Sequence, residues 1–543
     1  MSKKYPIGVQ SFEKIRKEGY CYIDKTEMIY HIATSGTYFF LSRPRRFGKS
    51  LLVSTLEAYF QGKRELFKGL AIEQLEKDWT AHPVLHLDLV ASQYKSVEDL
   101  RSLLNTFVAG WENIYGQDAA EQMLSTRFAG VIRRAYQKTG KKVVVLIDEY
   151  DKPLLESIGN EKLQNDLRDE LRAFYSVLKS QDANLRFGLL TGVTKFGKLS
   201  VFSGLNNLMD ISMQRDYATI CGITEKELHG EFKDDLKDLA DANEITYEEA
   251  CKEMKELYDG YHFAYNAEDI YNPFSVLNTF ATKEFGSYWI ETGTPTYLVK
   301  LLRQNHYNLN NLTDVTIKAT QLLGHLASDS DAIPVIYQSG YLTIKGYDKE
   351  FKTYILGFPN REVEEGFIEF LIPFYIKTHG NSSPFEINNF IKDVRQANID
   401  AFFSRLQTFF ADTPYEMIVG HTSLQHMDKE MKEKAVQKQL ELHYQNVLFI
   451  VFRLMGFYTK VEYHTAQGRI DLVLQTKDYC YVMEFKLNGT AEEALAQIDA
   501  KQYAAPFAHS GKTIYKIGVN FSSKTRNIDR WIVDSSRLTP EGL

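Results

Sequence analysis

Through the first 220 residues, apolar side chains gather in short unbroken runs separated by longer stretches with helical spacing. The runs are YFFL (38–41), VLHLDL (84–89), VVVLID (143–148), RFGLLTG (186–192) and YATICGI (217–223). Unbroken runs, rather than strict alternation, mark strands buried on both faces. Strands separated by helices predict a parallel sheet with right-handed crossovers. The helix that includes GVIRRAYQKTGKK is predicted to stop at Gly140, a residue type that suits a helix C-terminus.

The pattern then changes. From 224 to 350 polar helices alternate with aromatic connectors such as YDGYHFAYN and YNPFSVLNTF, which predicts a separate helical subdomain. Residues 351–425 are mixed and form a connecting region. Residues 426–543 begin with a charged helix and become an α/β pattern. The expected organisation is therefore four segments: 1–223, 224–350, 351–425 and 426–543. No internal repeat or low-complexity linker interrupts them.

Composition narrows this picture. At roughly 150 residues per domain, 543 residues correspond to about three or four domains. A net charge of −7 argues against coating nucleic acid by bulk electrostatics, so any such contact must come from a local patch. The four cysteines, Cys21, Cys221, Cys251 and Cys480, show no C-x-x-C spacing, which fits a reducing compartment. The opening MSKKYPIGVQSFEKI lacks the apolar core of a signal peptide. The longest apolar run, near NVLFIVFRLMGFY, is interrupted by Arg453 and is too short to span a bilayer. The expected location is the cytoplasm, with no membrane contact.

The first chemical constellation lies in FFLSRPRRFGKSLL, residues 39–52. A strand, a loop and then Gly48-Lys49-Ser50 opening an amphipathic helix is the context of a phosphate-binding loop. The helix start offers unpaired N–H groups and a positive dipole end. Lys49 would reach the β- and γ-phosphates of ATP, and the Ser50 hydroxyl would bind Mg²⁺. The first glycine of the usual G-x-x-x-x-G-K-[ST] pattern is missing, because Arg43 stands there. Downstream, KKVVVLIDEYDKP is an apolar strand ending in Asp148-Glu149. That pair suits metal support by Asp148 and water activation by Glu149. The arginines of RPRR either pair with phosphoryl oxygens or form a solvated loop.

These segments, with YPIGVQSFEKIRKEGYCYIDKTEMI, GVTKFGKLSVFSGLNNLMDIS and YDGYHF…YNPFSVLN, resemble the AAA-ATPase-like family, whose members often carry a C-terminal nuclease-like domain. The resemblance spans nearly the whole chain. It implies that RPRRFGKS is the family's own loop, with Arg46, Gly48, Lys49, Ser50, Leu51 and Asp148 around the nucleotide. It also implies an AAA-like core over 1–223 and a helical lid, winged-helix-like, over 224–350. GVTKF would supply a polar sensor of the γ-phosphate from Thr191 or Thr194, with Lys195 nearby, or would only shape a turn. Asp24-Lys25-Thr26 would either line the adenine side or cap a helix. Tyr258-Asp259-Gly260-Tyr261 reads as a packed connector.

The second constellation is GRIDLVLQTKDYCYVMEFKLNGTAEEALAQIDAKQY. Two strand-like runs flank the polar turn TKDY, a hairpin signal. If Gln475 pairs with Cys480, Asp471 falls opposite Glu484, about 5 Å away at Cβ. Lys486, two residues on, shares the face of Glu484. Two acids and a lysine on one side of a hairpin suit a Mg²⁺ site that activates water. The arrangement resembles the PD-(D/E)XK nuclease fold. That resemblance assigns Gln497 and Tyr503 to its helical Q…Y positions and Glu441 to an additional acid. Thr490 and Glu493 form a predicted capping box. The segment 501–530 is locally basic, either a phosphate-backbone contact or a solvated face.

Two functions fit. In one, an ATPase is coupled to a metal-dependent nuclease-like domain acting on DNA or RNA. In the other, ATP drives a conformational switch whose C-terminal domain binds nucleic acid or protein without cleavage. An arginine supplied by a neighbouring subunit would make the protein a homo-oligomer, and the sequence identifies no such arginine.

Overall fold

Buried apolar strands define the N-terminal half. The computed structural model describes residues 3–195, 207–292, 296–312, 315–322, 332–375, 383–411, 429–456, 460–466, 469–508 and 510–534. The chain divides into two compact units. One is Met1–Gly293 with Asp314–Glu364, and the other is Thr294–Thr313 with Glu365–Leu543.

In the first unit, strands β1 (Tyr38–Ser42), β2 (Val84–Asp88), β3 (Val143–Asp148), β4 (Leu185–Gly192) and β5 (Met209–Asp210) form a parallel sheet in the order β2-β3-β4-β1-β5. Every residue of β1 and β3 is buried, as their unbroken apolar runs require. The strand between β1 and β3 in space is β4, although the VLHLDL run (β2) is the one between them in sequence. Helices pack on the sheet through a core that includes Leu104, Phe128, Leu171 and Phe174. The helix Leu124–Thr139 does end at Gly140, whose φ of 66° is left-handed.

The fifth strand is a correction. YATICGI is not a strand: Arg215–Tyr217 is a 3₁₀ turn, and Ile223 makes only an isolated bridge to Tyr271. Ala218, Ile220, Cys221 and Ile223 are nonetheless buried. Their apolar run reflects burial without strand pairing, an ambiguity that periodicity alone cannot resolve.

Three further helices matter for the site: α1 (Phe12–Glu18), α2 (Thr26–Ser35) and α3 (Lys49–Phe60). Asp24 precedes α2 and accepts from the Thr26 amide at 2.9 Å and from the Ala71 amide at 2.7 Å. The 224–282 stretch is helical, with capping boxes at Thr224/Glu227 and Thr246/Glu249. Beyond it a small antiparallel sheet, β6 (Val315–Lys318), β7 (Thr343–Asp348) and β8 (Thr353–Gly357), takes the order β6-β8-β7. The polar helices and aromatic connectors of 224–350 did not announce β6 and β7, and β8 falls in the segment expected as a connecting region.

In the second unit, β9 (Lys460–Ala466), β10 (Arg469–Gln475), β11 (Tyr479–Leu487), β12 (Thr513–Ser522) and β13 (Asn527–Asp534) form a mixed sheet in the order β13-β12-β11-β10-β9. Only β11 and β12 run parallel. The helix Ala491–Ala500 supplies the crossover between them. The apolar NVLFIVF run lies buried in the helix Lys429–Gly456. Among the described residues no helix is long and apolar enough to cross a membrane. The architecture is α/β in both units.

Candidate functional site

Gly48 precedes α3 with φ 93°, and a Cβ there would meet open space. The left-handed backbone, not crowding, is what calls for glycine. No side chain caps the start of α3. The Lys49 side chain is buried and donates to the carbonyls of Arg43 at 3.1 Å and Pro44 at 3.2 Å. Its ammonium lies 4.0 Å from Glu149 Oε1. Ser50 and Leu51 follow in the first turn.

The three loop arginines have different surroundings. Arg43 is fully buried and donates to the carbonyls of Ser42, Ser212 and Tyr217 at 2.7–2.9 Å. Its guanidinium lies 4.1 Å from the Phe263 ring centre. Arg45 sits over Trp289 at 4.8 Å and donates to the Tyr341 hydroxyl. Arg46 is exposed, with φ 65°, beside Gly48. Arg43, where the common pattern has glycine, is thus a structural tie. Arg46 is the arginine open to solvent.

Asp148 ends β3, is buried and accepts a hydrogen bond from the Thr191 hydroxyl of β4. The Glu149 amide donates to that same hydroxyl oxygen at 3.4 Å, and Glu149 itself holds φ 52°. A non-glycine residue there carries backbone strain. Burial pushes the Glu149 carboxyl above the ordinary range; Lys49 opposes the shift, while Asp151 and Asp148 add to it. A carboxyl raised toward neutrality suits a general base.

Asp151 joins the site through its contacts and not through any motif. It is completely buried and accepts from the Val193 amide (3.2 Å), the Thr194 amide (2.6 Å) and the Thr194 hydroxyl (2.7 Å). It ties the loop after β3 to the loop after β4. The signal was the second aspartate of DEYD, directly after Tyr150. Lys195 is also buried, paired with Asp210 at 2.9 Å. Of the expected sensor residues, Thr191 stands on the Asp148–Glu149 pair, while Thr194 and Lys195 hold the loops together. Asp151→Ala leaves three donors short of an acceptor. It is expected to lower stability by about 3 kcal/mol in urea unfolding.

A second unread residue supports the phosphate loop. Glu362 is buried and accepts from the Trp289 amide (2.6 Å) and the Ser275 hydroxyl (2.8 Å). The Trp289 indole N–H donates to the Arg45 carbonyl at 3.0 Å. Burial pushes the Glu362 carboxyl up to about 7. The folded state then holds a proton that the unfolded chain releases near its ordinary value. Stability should fall as pH rises from about 4.5 to about 7, by about 3 kcal/mol, and level off above. Glu362→Gln should remove that part of the pH dependence, read as the difference between two urea-denaturation series.

In the second unit, β10 and β11 pair so that Asp471 stands opposite Glu484 and Gln475 opposite Cys480. This is the register the sequence predicts. Glu484 has no exposed surface, and its Oε1 lies 3.0 Å from Lys486 Nζ. Lys486 also donates to the Gln497 side-chain carbonyl. Gln497 lies on the helix that Thr490 and Glu493 cap. That helix sits close on β12 because Gly518 lacks a Cβ, which would come 2.6 Å from the Leu495 nitrogen. The structure thus gathers Glu484, Lys486 and Gln497. Tyr503 instead packs against the core of Cys480, Val482 and Ile498. Glu441 is half-buried on the helix Lys429–Gly456, without a hydrogen bond to this cluster among the described residues.

The basic 501–530 segment is partly neutralised. Lys516 pairs with Asp499 (2.7 Å) and Asp534 (2.9 Å), and Arg530 with Glu492 (3.0 Å). Among the described residues, no cluster of three or more His, Cys, Asp or Glu side chains is gathered for a metal.

Comparisons with known proteins fit this geometry. Residues 6–202 match a family described as "Predicted AAA-ATPase". Residues 439–531 match the PD-(D/E)XK nuclease superfamily. A relative from Azotobacter chroococcum mcd 1, described as "Uncharacterized protein in vnfD 5'region", is 35% identical over 98% of this chain and 99% of its own. The chain belongs to the predicted AAA-ATPase family, with a C-terminal PD-(D/E)XK nuclease-like domain. Among solved structures, the ORC2 protein of Aeropyrum pernix aligns at 8% identity and a TM-score of 0.23. That alignment covers 64% of this chain and 88% of that one. A similarity this low carries no argument. The family assignment joins an ATPase-like fold with a nuclease-like fold.

Proposed function

We propose that the chain binds and hydrolyses ATP in its first unit and cleaves nucleic acid with a divalent metal in its second. The observation that carries the ATP reading is the convergence of Lys49 and Glu149 to 4.0 Å, with Asp148 held beside them by Thr191. The residues suit the nucleotide. Gly48 leaves open space where a side chain would stand, and the Lys49 donors rest on loop carbonyls that phosphoryl oxygens can replace. Arg46, Gly48, Lys49, Ser50 and Leu51 would hold ATP, with Ser50 and Asp148 toward its Mg²⁺. Lys49 and Arg46 offset charge on the phosphates. Glu149 takes the proton of the attacking water.

In the second unit, Asp471 and Glu484 would hold Mg²⁺, whose chemistry is to acidify a bound water and offset charge on the scissile phosphate. Two carboxylates suit a hard dication that takes its other ligands from water and substrate phosphate. Lys486, bonded to Glu484 and Gln497, would orient the nucleophile. DNA or RNA is the substrate class.

The test incubates the full chain with DNA and RNA in Mg²⁺ or Mn²⁺, with and without ATP, beside Lys49→Ala and Asp471→Ala. Loss of cleavage in both variants is the coupled outcome. Loss only in Asp471→Ala separates the nuclease from ATP. ATP turnover without any cleavage by the parent would favour the switch reading over the nuclease.

A further inference from the structure

The Asp24-Lys25-Thr26 triplet has a role that neither chemical step uses. Beside the phosphate loop lies a cavity of about 110 Å³, lined by Tyr22, Ile23, Lys25, Leu51, Cys221 and Ile223 among others. It meets the loop at Gly48 and Leu51, where a bound nucleotide would leave its phosphates for its base. Its walls are mostly apolar, which suits a flat aromatic ring better than a charged group. Asp24 accepts from the Thr26 amide, and the Thr26 hydroxyl accepts from the Ile72 amide at 3.1 Å. Lys25 is the N-cap residue of α2, but its side chain makes no capping bond.

Lys25 is more than nine-tenths buried. Among the described residues its ammonium meets one partner, the Glu227 carboxylate, at 2.6 and 2.7 Å. An ammonium has three N–H donors. Two are taken by Glu227 and one is left over at a cavity wall, where an unmet donor is costly. Glu227 is itself fixed by the capping box with Thr224, so the lysine is held in one place.

We infer that Lys25 is a specificity-determining residue, donating a hydrogen bond to a ring-nitrogen acceptor of the purine base. This rests on the ATP reading of the adjoining loop. It makes the base, and not only the triphosphate, a source of affinity.

The test measures equilibrium binding to the full chain by calorimetry. The ligands are ATP, its 1-deaza, 3-deaza and 7-deaza analogues, each lacking one ring acceptor, and 2′-deoxy-ATP. Removing Lys25 alone would leave the half-buried Glu227 carboxylate without its cation, so the variants are Glu227→Gln and the pair Lys25→Met with Glu227→Gln. The parent and Glu227→Gln should bind one deaza analogue at least about tenfold more weakly than ATP. The double variant should bind ATP at that weaker level and no longer distinguish the two. Equal binding of all three deaza analogues by the parent overturns the inference. So does discrimination that survives in the double variant, or a penalty confined to 2′-deoxy-ATP. In each of these cases ATP binding by the parent leaves the ATP reading intact. No ATP binding by the parent overturns both.

Discussion

Lys49→Ala is expected to reduce ATP hydrolysis by about 10²–10³-fold, measured as phosphate release by the full chain. The residue has two tasks. Its ammonium would offset charge developing on the transferred phosphoryl group. It also holds the carbonyls of Arg43 and Pro44, at 3.1 and 3.2 Å. The first task makes the loss a transition-state effect. The second ends once phosphoryl oxygens replace those carbonyls, so weaker nucleotide binding follows from losing the ammonium itself. Glu149 also loses the cation 4.0 Å away, so its carboxyl should rise further from the ordinary range. A parent-like rate in the variant would remove Lys49 from the chemistry.

The second large effect is expected at Glu484. Replacing it by glutamine keeps the shape but deletes a fully buried charge and the partner of Lys486. The two-carboxylate set becomes one carboxylate and one amide, a poor match for a hard dication. Nucleic-acid cleavage should fall by more than about 100-fold, since even residues that only orient metal ligands cost about 10–100-fold. Mn²⁺ affinity by calorimetry should fall with it. Cleavage unchanged in this variant would move the metal site elsewhere.

Much of both sites was legible because the chemistry follows strand ends. Unbroken apolar runs located β1, β3 and β4, and strand geometry then put Gly48, Asp148 and Thr191 at their exits. The Asp471–Glu484 pairing was readable because a short polar turn sets a hairpin register. The Thr490/Glu493 cap was readable because its signature is local.

What escaped the sequence is long-range. Arg43 read as a possible phosphate ligand, yet its guanidinium is spent on carbonyls some 170 positions away. Asp151 and Glu362 are buried acids whose partners lie on other elements, and no spacing rule announces them. YATICGI misled because burial beside a cavity and burial in a sheet select the same residues. The β6-β8-β7 sheet was missed because its strands are short and its alternation is clear only in VTIK.

An arginine-bearing loop, with no glycine at position 43, is proposed to form a working ATP site. A calorimetric titration of the full chain with Mg²⁺ and ATP, paired with phosphate release, decides this for the parent and Glu149→Gln. Saturable binding is expected in both, and phosphate release by the parent alone. Absence of ATP binding by the parent, or undiminished release by Glu149→Gln, would rule such a site out.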